Sequence, residues 1–187
     1  EWSAALYETR EERQAFIESL LDSAATDSAW EEPMRDYLVS YLLTQHDWPA
    51  KVFAEHGAHA DPVRRFYGHY GLMRKTFDPR RQRAHARESL HALDALLQRP
   101  DALGSYFVIP RVSMNSNRWL SSALQEICAR YPDFEPEVNQ KMFARMRALH
   151  AAGNCRSLVL LEPTVHLRGL PRNEVVPWLD EVAAARA

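Results

Sequence analysis

The sequence predicts an all-α domain, built as an irregular or orthogonal helical bundle or as stacked helical hairpins, with about seven helices and at most two short strands. Apolar residues return every three or four positions along most of the 187 residues. The 11 prolines and 6 glycines fall mainly between these periodic stretches. Only two short segments have the β-branched and aromatic make-up of a strand.

The first helix is expected over residues 2–24, with Leu6, Phe16, Ile17, Leu20 and Leu21 inward and Glu8, Glu11, Glu12 and Glu18 opposite. Asp27 or Ser28 can cap a second helix, where Pro33 suits the first turn and Met34, Tyr37, Leu38, Tyr41 and Leu42 face the core. Asp47, Trp48 and Pro49 interrupt it. Gly57, Pro62, Gly68 and Gly71 then predict short helices joined by turns. Residues 80–98 form a strong helix striped by Leu90, Leu93, Leu96 and Leu97, closed by Pro100 and Gly104.

Residues 105–112 can be a short buried strand or an apolar loop, and residues 157–161 are the second strand candidate. Helices over 117–131 and 136–152 carry Trp119, Leu124, Ile127, Met142, Met146 and Leu149, and Gly153 is a natural stop. A last helix from about residue 173 places Val176, Leu179 and Val182 inward. Residues 1–187 read as a single domain, and the Glu1 start suits a processed form or a piece of a longer protein. We find no fixed repeat period, which weighs against a solenoid but leaves stacked hairpins open beside an orthogonal bundle, because degenerate helical repeats need not show a period.

With 46% hydrophobic and 26% charged residues the composition is that of a folded globular domain, which argues against disorder. No apolar run approaches the roughly 20 residues needed to cross a bilayer. Cys128 and Cys155 are too few for a disulfide framework and are expected as buried or idle thiols, which makes the cytoplasm the default location.

The net charge of −2 hides an uneven distribution. Residues 1–36 hold ten acidic side chains against Arg10, Arg13 and Arg35. Residues 64–87 hold Arg64, Arg65, Arg74, Lys75, Arg80, Arg81, Arg83 and Arg87 against Asp78 alone, interleaved with Phe66, Tyr67, Tyr70 and Phe77. Guanidinium forks fit carboxylates and phosphates, so this stretch is a candidate binding face for a protein partner or a neighbouring domain. Two alternatives remain open at this level: pairing with the chain's own acidic first helix, or a nucleic-acid surface on which the aromatics stack.

Six of the eight histidines lie between residues 46 and 91. His56 and His59 share a face if they lie on one helix, and with Asp61 could hold a metal ion; a turn of solvated histidines explains them as well. Arg80 with His85, and Arg145 with His150, have four residues between them. That spacing resembles the Arg-x4-His element of helical HEPN-type ribonucleases, which implies an arginine steadying a scissile phosphate and a histidine moving a proton. Arg81 and Met146 stand directly after the arginines, where that family often carries a polar residue.

The segment 112–119 is rich in hydrogen-bonding side chains: Ser113 or Asn115 can cap the following helix, or Asn115, Asn117 and Arg118 can bind a ligand. Cys155 near His150 or His166 is a further nucleophile candidate, with a structural thiol as the default. The sequence has no nucleophile elbow, phosphate-binding loop or dinucleotide fingerprint, so no cofactor is expected. These observations lean toward a non-catalytic helical interaction module. A metal-dependent or phosphodiester-cleaving helical hydrolase and a nucleic-acid binding domain are the alternatives.

Overall fold

The computed structural model describes residues 9–26, 32–98, 106–109, 112–115, 117–153 and 170–184. The fold is all-α, with eight α-helices among the described residues: α1 (Arg10–Thr26), α2 (Glu32–Gln45), α3 (Ala50–Gly57), α4 (Pro62–Lys75), α5 (Pro79–Gln98), α6 (Asn117–Arg130), α7 (Glu135–Ala151) and α8 (Arg172–Ala184). A 3-10 turn, Pro132–Phe134, joins α6 to α7.

Local chemistry fixes several ends. Thr9 and Glu12 form a capping box at α1: Glu12 N donates to Thr9 Oγ1 at 3.1 Å and Thr9 N donates to Glu12 Oε2 at 3.2 Å. Asp61 caps α4, its Oδ1 accepting from the backbone N–H of Val63 and Arg64, with Pro62 in the first turn. Trp48 is buried after α2, and its indole N–H donates at 2.8 Å to the Leu42 carbonyl near that helix's end. Gly153 ends α7 at φ +70°, as its position in the sequence predicts.

The core is one cluster centred on α4, which packs against α2, α3 and α5. Phe66, Tyr67 and Met73 of α4 are buried with Leu43 of α2 and with Leu90 and Leu93 of α5. Leu96 and Leu97 extend that stripe as expected. On the far side Met142, Phe143 and Met146 of α7 are buried, and Trp178 of α8 meets Phe143 edge-on at 5.3 Å.

Several expectations are corrected. Gly68 and Gly71 do not mark turns: both lie inside α4, where they let α3 approach closely. A Cβ at Gly68 would fall on the backbone of Gly57 and His56, within 2.7 Å of Gly57 Cα, and one at Gly71 would fall on the Phe53 ring. Helix–helix contact, not chain reversal, requires these glycines.

Residues Tyr106–Ile109 (β1) pair antiparallel with Val112–Asn115 (β2), in a register from Tyr106↔Asn115 to Ile109↔Val112. Ser113 and Asn115 therefore sit in a strand, and since α6 begins at Asn117 neither occupies the position directly before it that a cap takes. The other strand candidate, 157–161, lies outside the described residues, as do residues 2–8 of the first predicted helix and its neighbours Asp27 and Ser28.

In α8 the buried face is set by Val175 and Trp178, one position earlier than predicted, and Val176 and Leu179 are 51% and 43% exposed. Trp178 brings more apolar area than either aliphatic and so decides the rotation of the helix. Phe16 of α1 likewise faces outward, while Ile17 and Leu21 are buried.

Candidate interaction face

The arginine-rich stretch becomes the α4–α5 hairpin, which separates its cations into two groups. Arg64 is partly buried: its Nε donates to His56 Nδ1 at 3.1 Å, and burial lowers its pKa against the pull of the Asp61 and Asp22 carboxylates. Arg74 lies 3.9 Å from Glu126 of α6 and over the Tyr70 ring, and Lys75 pairs with Asp47. Arg83 binds both carboxylate oxygens of Asp133, its NH1 at 3.1 Å, and sits 4.7 Å from the Phe134 ring centroid. Arg87 pairs with Glu137 and lies 4.0 Å from the same ring.

These five side chains tie the hairpin to α3, α6, the 3-10 turn and α7. Arg64 also feels the acidic first helix, through Asp22. Exposed pairs contribute only about 0–1 kcal/mol each, and their main effect is to leave fewer cations for anything else.

Arg65, Arg80 and Arg81 form the second group. All three are exposed and make no ion pair with the described residues. Phe66, Tyr67 and Tyr70 are core side chains, whereas Phe77, between α4 and α5, is 98% exposed. The hairpin apex thus presents one bare aromatic ring two residues before Pro79, with Arg80 and Arg81 directly after it.

The proposed metal ligands are committed elsewhere. α3 ends at Gly57, so His56 and His59 do not share a helix: His56 is buried, and His59 lies exposed beyond the helix end. His56 Nδ1 accepts from Arg64, His59 Nδ1 accepts from Asp61 N at 3.0 Å, and Asp61 Oδ1 caps α4. Among the described residues no group of three or more His, Cys, Asp or Glu is arranged to hold a metal. His59, Asp61 and Arg64 do line a small cleft of 150 Å³ with Arg35 and Asp36. His56 is held neutral, its pKa lowered to about 4 by burial first and by the Arg64 charge second.

Neither arginine–histidine pair forms a joint site. Five positions along an α-helix turn about 140°, so Arg80 and His85 diverge around α5. His85 instead meets His69 of α4, Nδ1 to Nδ1 at 3.3 Å. His150 stands edge-on to Trp178 at 6.1 Å, beside an open cleft of 620 Å³ between α7 and α8 that Arg147 and Glu181 also line.

Cys128 is a buried free thiol whose pKa is raised to about 11 by burial, then by Glu135, which makes it a poor nucleophile. Cys155 and His166 lie outside the described residues, and of Asn115, Asn117 and Arg118 only the backbone is described. The His69–His85 contact was not anticipated. Its signal was available, since both positions lie eight residues from Phe77, where an antiparallel hairpin turns.

The fold and this face together define an all-α domain carrying a cationic helical hairpin with a bare aromatic tip. Compared with protein-family models, curated proteins and solved structures, the chain shows no match.

Proposed function

We propose that this chain is a non-catalytic interaction module that docks an acidic segment of a partner protein, or of a neighbouring domain, on the apex of its α4–α5 hairpin. The observation that carries this reading is Phe77, 98% exposed at the apex beside Arg80 and Arg81, two cations without an ion pair among the described residues. Interface anchors have this form, an aromatic residue for buried area with arginines nearby for orientation and encounter rate. A cytoplasmic setting goes with it, since Cys128 is a free thiol and no described helix is long and apolar enough to cross a membrane.

A photocrosslinking residue placed at position 77 tests the proposal. A protein adduct whose yield falls at least tenfold, or about 1.4 kcal/mol, in Arg80→Glu plus Arg81→Glu is expected, because the reversal turns attraction for an acidic segment into repulsion. Arg83 is left intact in this design because reversing it would break the contact with Asp133. Adducts with nucleic acid that weaken steeply with salt would support the nucleic-acid alternative and overturn the proposal, as would adducts indifferent to the charge reversal.

A further inference from the structure

The last helix is apolar on two sides. Val175 and Trp178 hold α8 in place, with the Trp178 ring centroid 5.3 Å from that of Phe143 and 6.1 Å from that of His150. Val176 and Leu179, on another side, are 51% and 43% exposed. Four large apolar side chains are exposed among the described residues, and these 13 residues of α8 carry two of them. A helix packed on one neighbour needs one apolar stripe, and here a second is left facing solvent.

The charges around that second stripe are ordered. At 100° per residue, Arg172, Val176, Leu179, Asp180 and Ala183 fit within an arc of about 100°, which excludes Val175 and Trp178. All five are exposed. Arg172 and Asp180 make no ion pair with the described residues, and they stand four positions before and four positions after Val176. The face therefore runs from cation through an apolar centre to anion. Such a row is its own complement when reversed.

We propose that this face is a self-association surface, on which α8 packs antiparallel against α8 of a second copy of this chain. A crossing of about 50° lays the i±4 rows of two helices parallel to each other. With a two-fold axis at Val176, Arg172 of each copy meets the partner's Asp180, and the Val176 and Leu179 side chains lie between the two ion pairs. Parallel pairing would set Arg172 against Arg172 and Asp180 against Asp180, so the charges select the antiparallel arrangement. The interface is isologous, makes each contact twice and closes at two copies.

The charge pattern favours a second copy over other occupants. Nucleic acid or an acidic segment would meet Asp180 in the middle of the face, and a uniformly basic segment would meet Arg172. One helix face buries less than the roughly 1,200–2,000 Å² of a standard interface, so the dimer is expected to be weak, with a Kd of about 10 µM to 1 mM. This surface is independent of the hairpin apex and of the docking proposed there.

Sedimentation of the whole chain in low salt, at concentrations from about 10 µM to 1 mM, tests it by the dimer fraction. Arg172→Asp and Asp180→Arg each place like charges at both contacts, and each alone should weaken dimerisation at least tenfold. An equimolar mixture of the two variants should restore it, since every contact across the mixed pair then joins opposite charges. The chain carrying both substitutions should dimerise as well, with its ion pairs inverted. Both positions are exposed, so each variant should fold as the wild type does, which far-UV circular dichroism checks.

A wild-type chain that stays monomeric to about 1 mM would overturn the proposal and leave the face to a different protein or to another segment of a longer chain. Single variants that dimerise as well as the wild type would overturn it too, and that is the result expected if copies met at the Phe77 apex instead. A mixture that stays monomeric while the wild type dimerises would show that Arg172 and Asp180 do not meet, and the antiparallel pairing would fall.

Discussion

Replacing Gly68 by alanine is expected to lower the stability of the chain by about 3 kcal/mol or more, equivalent to a fall in thermal midpoint of about 6–12 °C. The added Cβ would fall on the backbone of Gly57 and His56, and backbone cannot swing aside as a side-chain tip can. α3 and α4 would have to part, opening the layer that holds Phe53, Phe66 and Met73. Gly71→Ala meets the buried Phe53 ring instead and should cost less, about 1–3 kcal/mol.

Gly153→Ala serves as the reference. Nothing lies within 4 Å of its Cβ position, so only the strain of a left-handed backbone applies, about 1–2 kcal/mol. Chemical denaturation of the three variants checks the ranking. If Gly68→Ala lost no more than Gly153→Ala, the close approach of α3 to α4 would be wrong.

Acid should destabilise the domain well before its carboxylates titrate. His56 is buried and its folded pKa is lowered to about 4, below the ordinary 6.5 of the unfolded chain. Between those values the unfolded state binds the extra proton, so stability is full above about pH 6.5 and is lost as pH falls through 4. The loss from this group alone reaches up to about 3 kcal/mol. His69 and His85, also lowered, act in the same direction.

His56→Asn should flatten the acid limb. Its side-chain oxygen can still accept from Arg64, which donates its Nε to His56 Nδ1 in the native chain. Denaturant midpoints measured from about pH 7 down to 4 check this, and an unchanged slope in the variant would remove His56 from the account.

Much of the fold was legible because its causes are local. Predicted and observed limits of α5, α6 and α7 agree to within one residue, since proline, glycine and polar caps act within a turn of where they stand. The α1 capping box was equally local and was overlooked, although Thr9 and Glu12 have its spacing. Gly68 and Gly71 misled for the opposite reason. In sequence they look like punctuation, and their actual cause is the crossing of α3 and α4. The phase of α8 followed Trp178, whose partner Phe143 lies 35 positions away.

The candidate face divides in the same way. The sequence by itself determined an all-α chain with an arginine-dense segment that runs from its short middle helices into the helix at 80–98. Only the tertiary structure decided that Arg83 and Arg87 are taken up by Asp133 and Glu137, each 50 residues distant, while Arg80 and Arg81 remain exposed. It alone set His56 against Arg64 and His59 against the Asp61 backbone, and brought His69 to His85. Helix formation is set by interactions three or four residues apart, which a sequence displays directly. Ion pairs, ring contacts and shared protons depend on which faces meet after packing, and no local pattern records that.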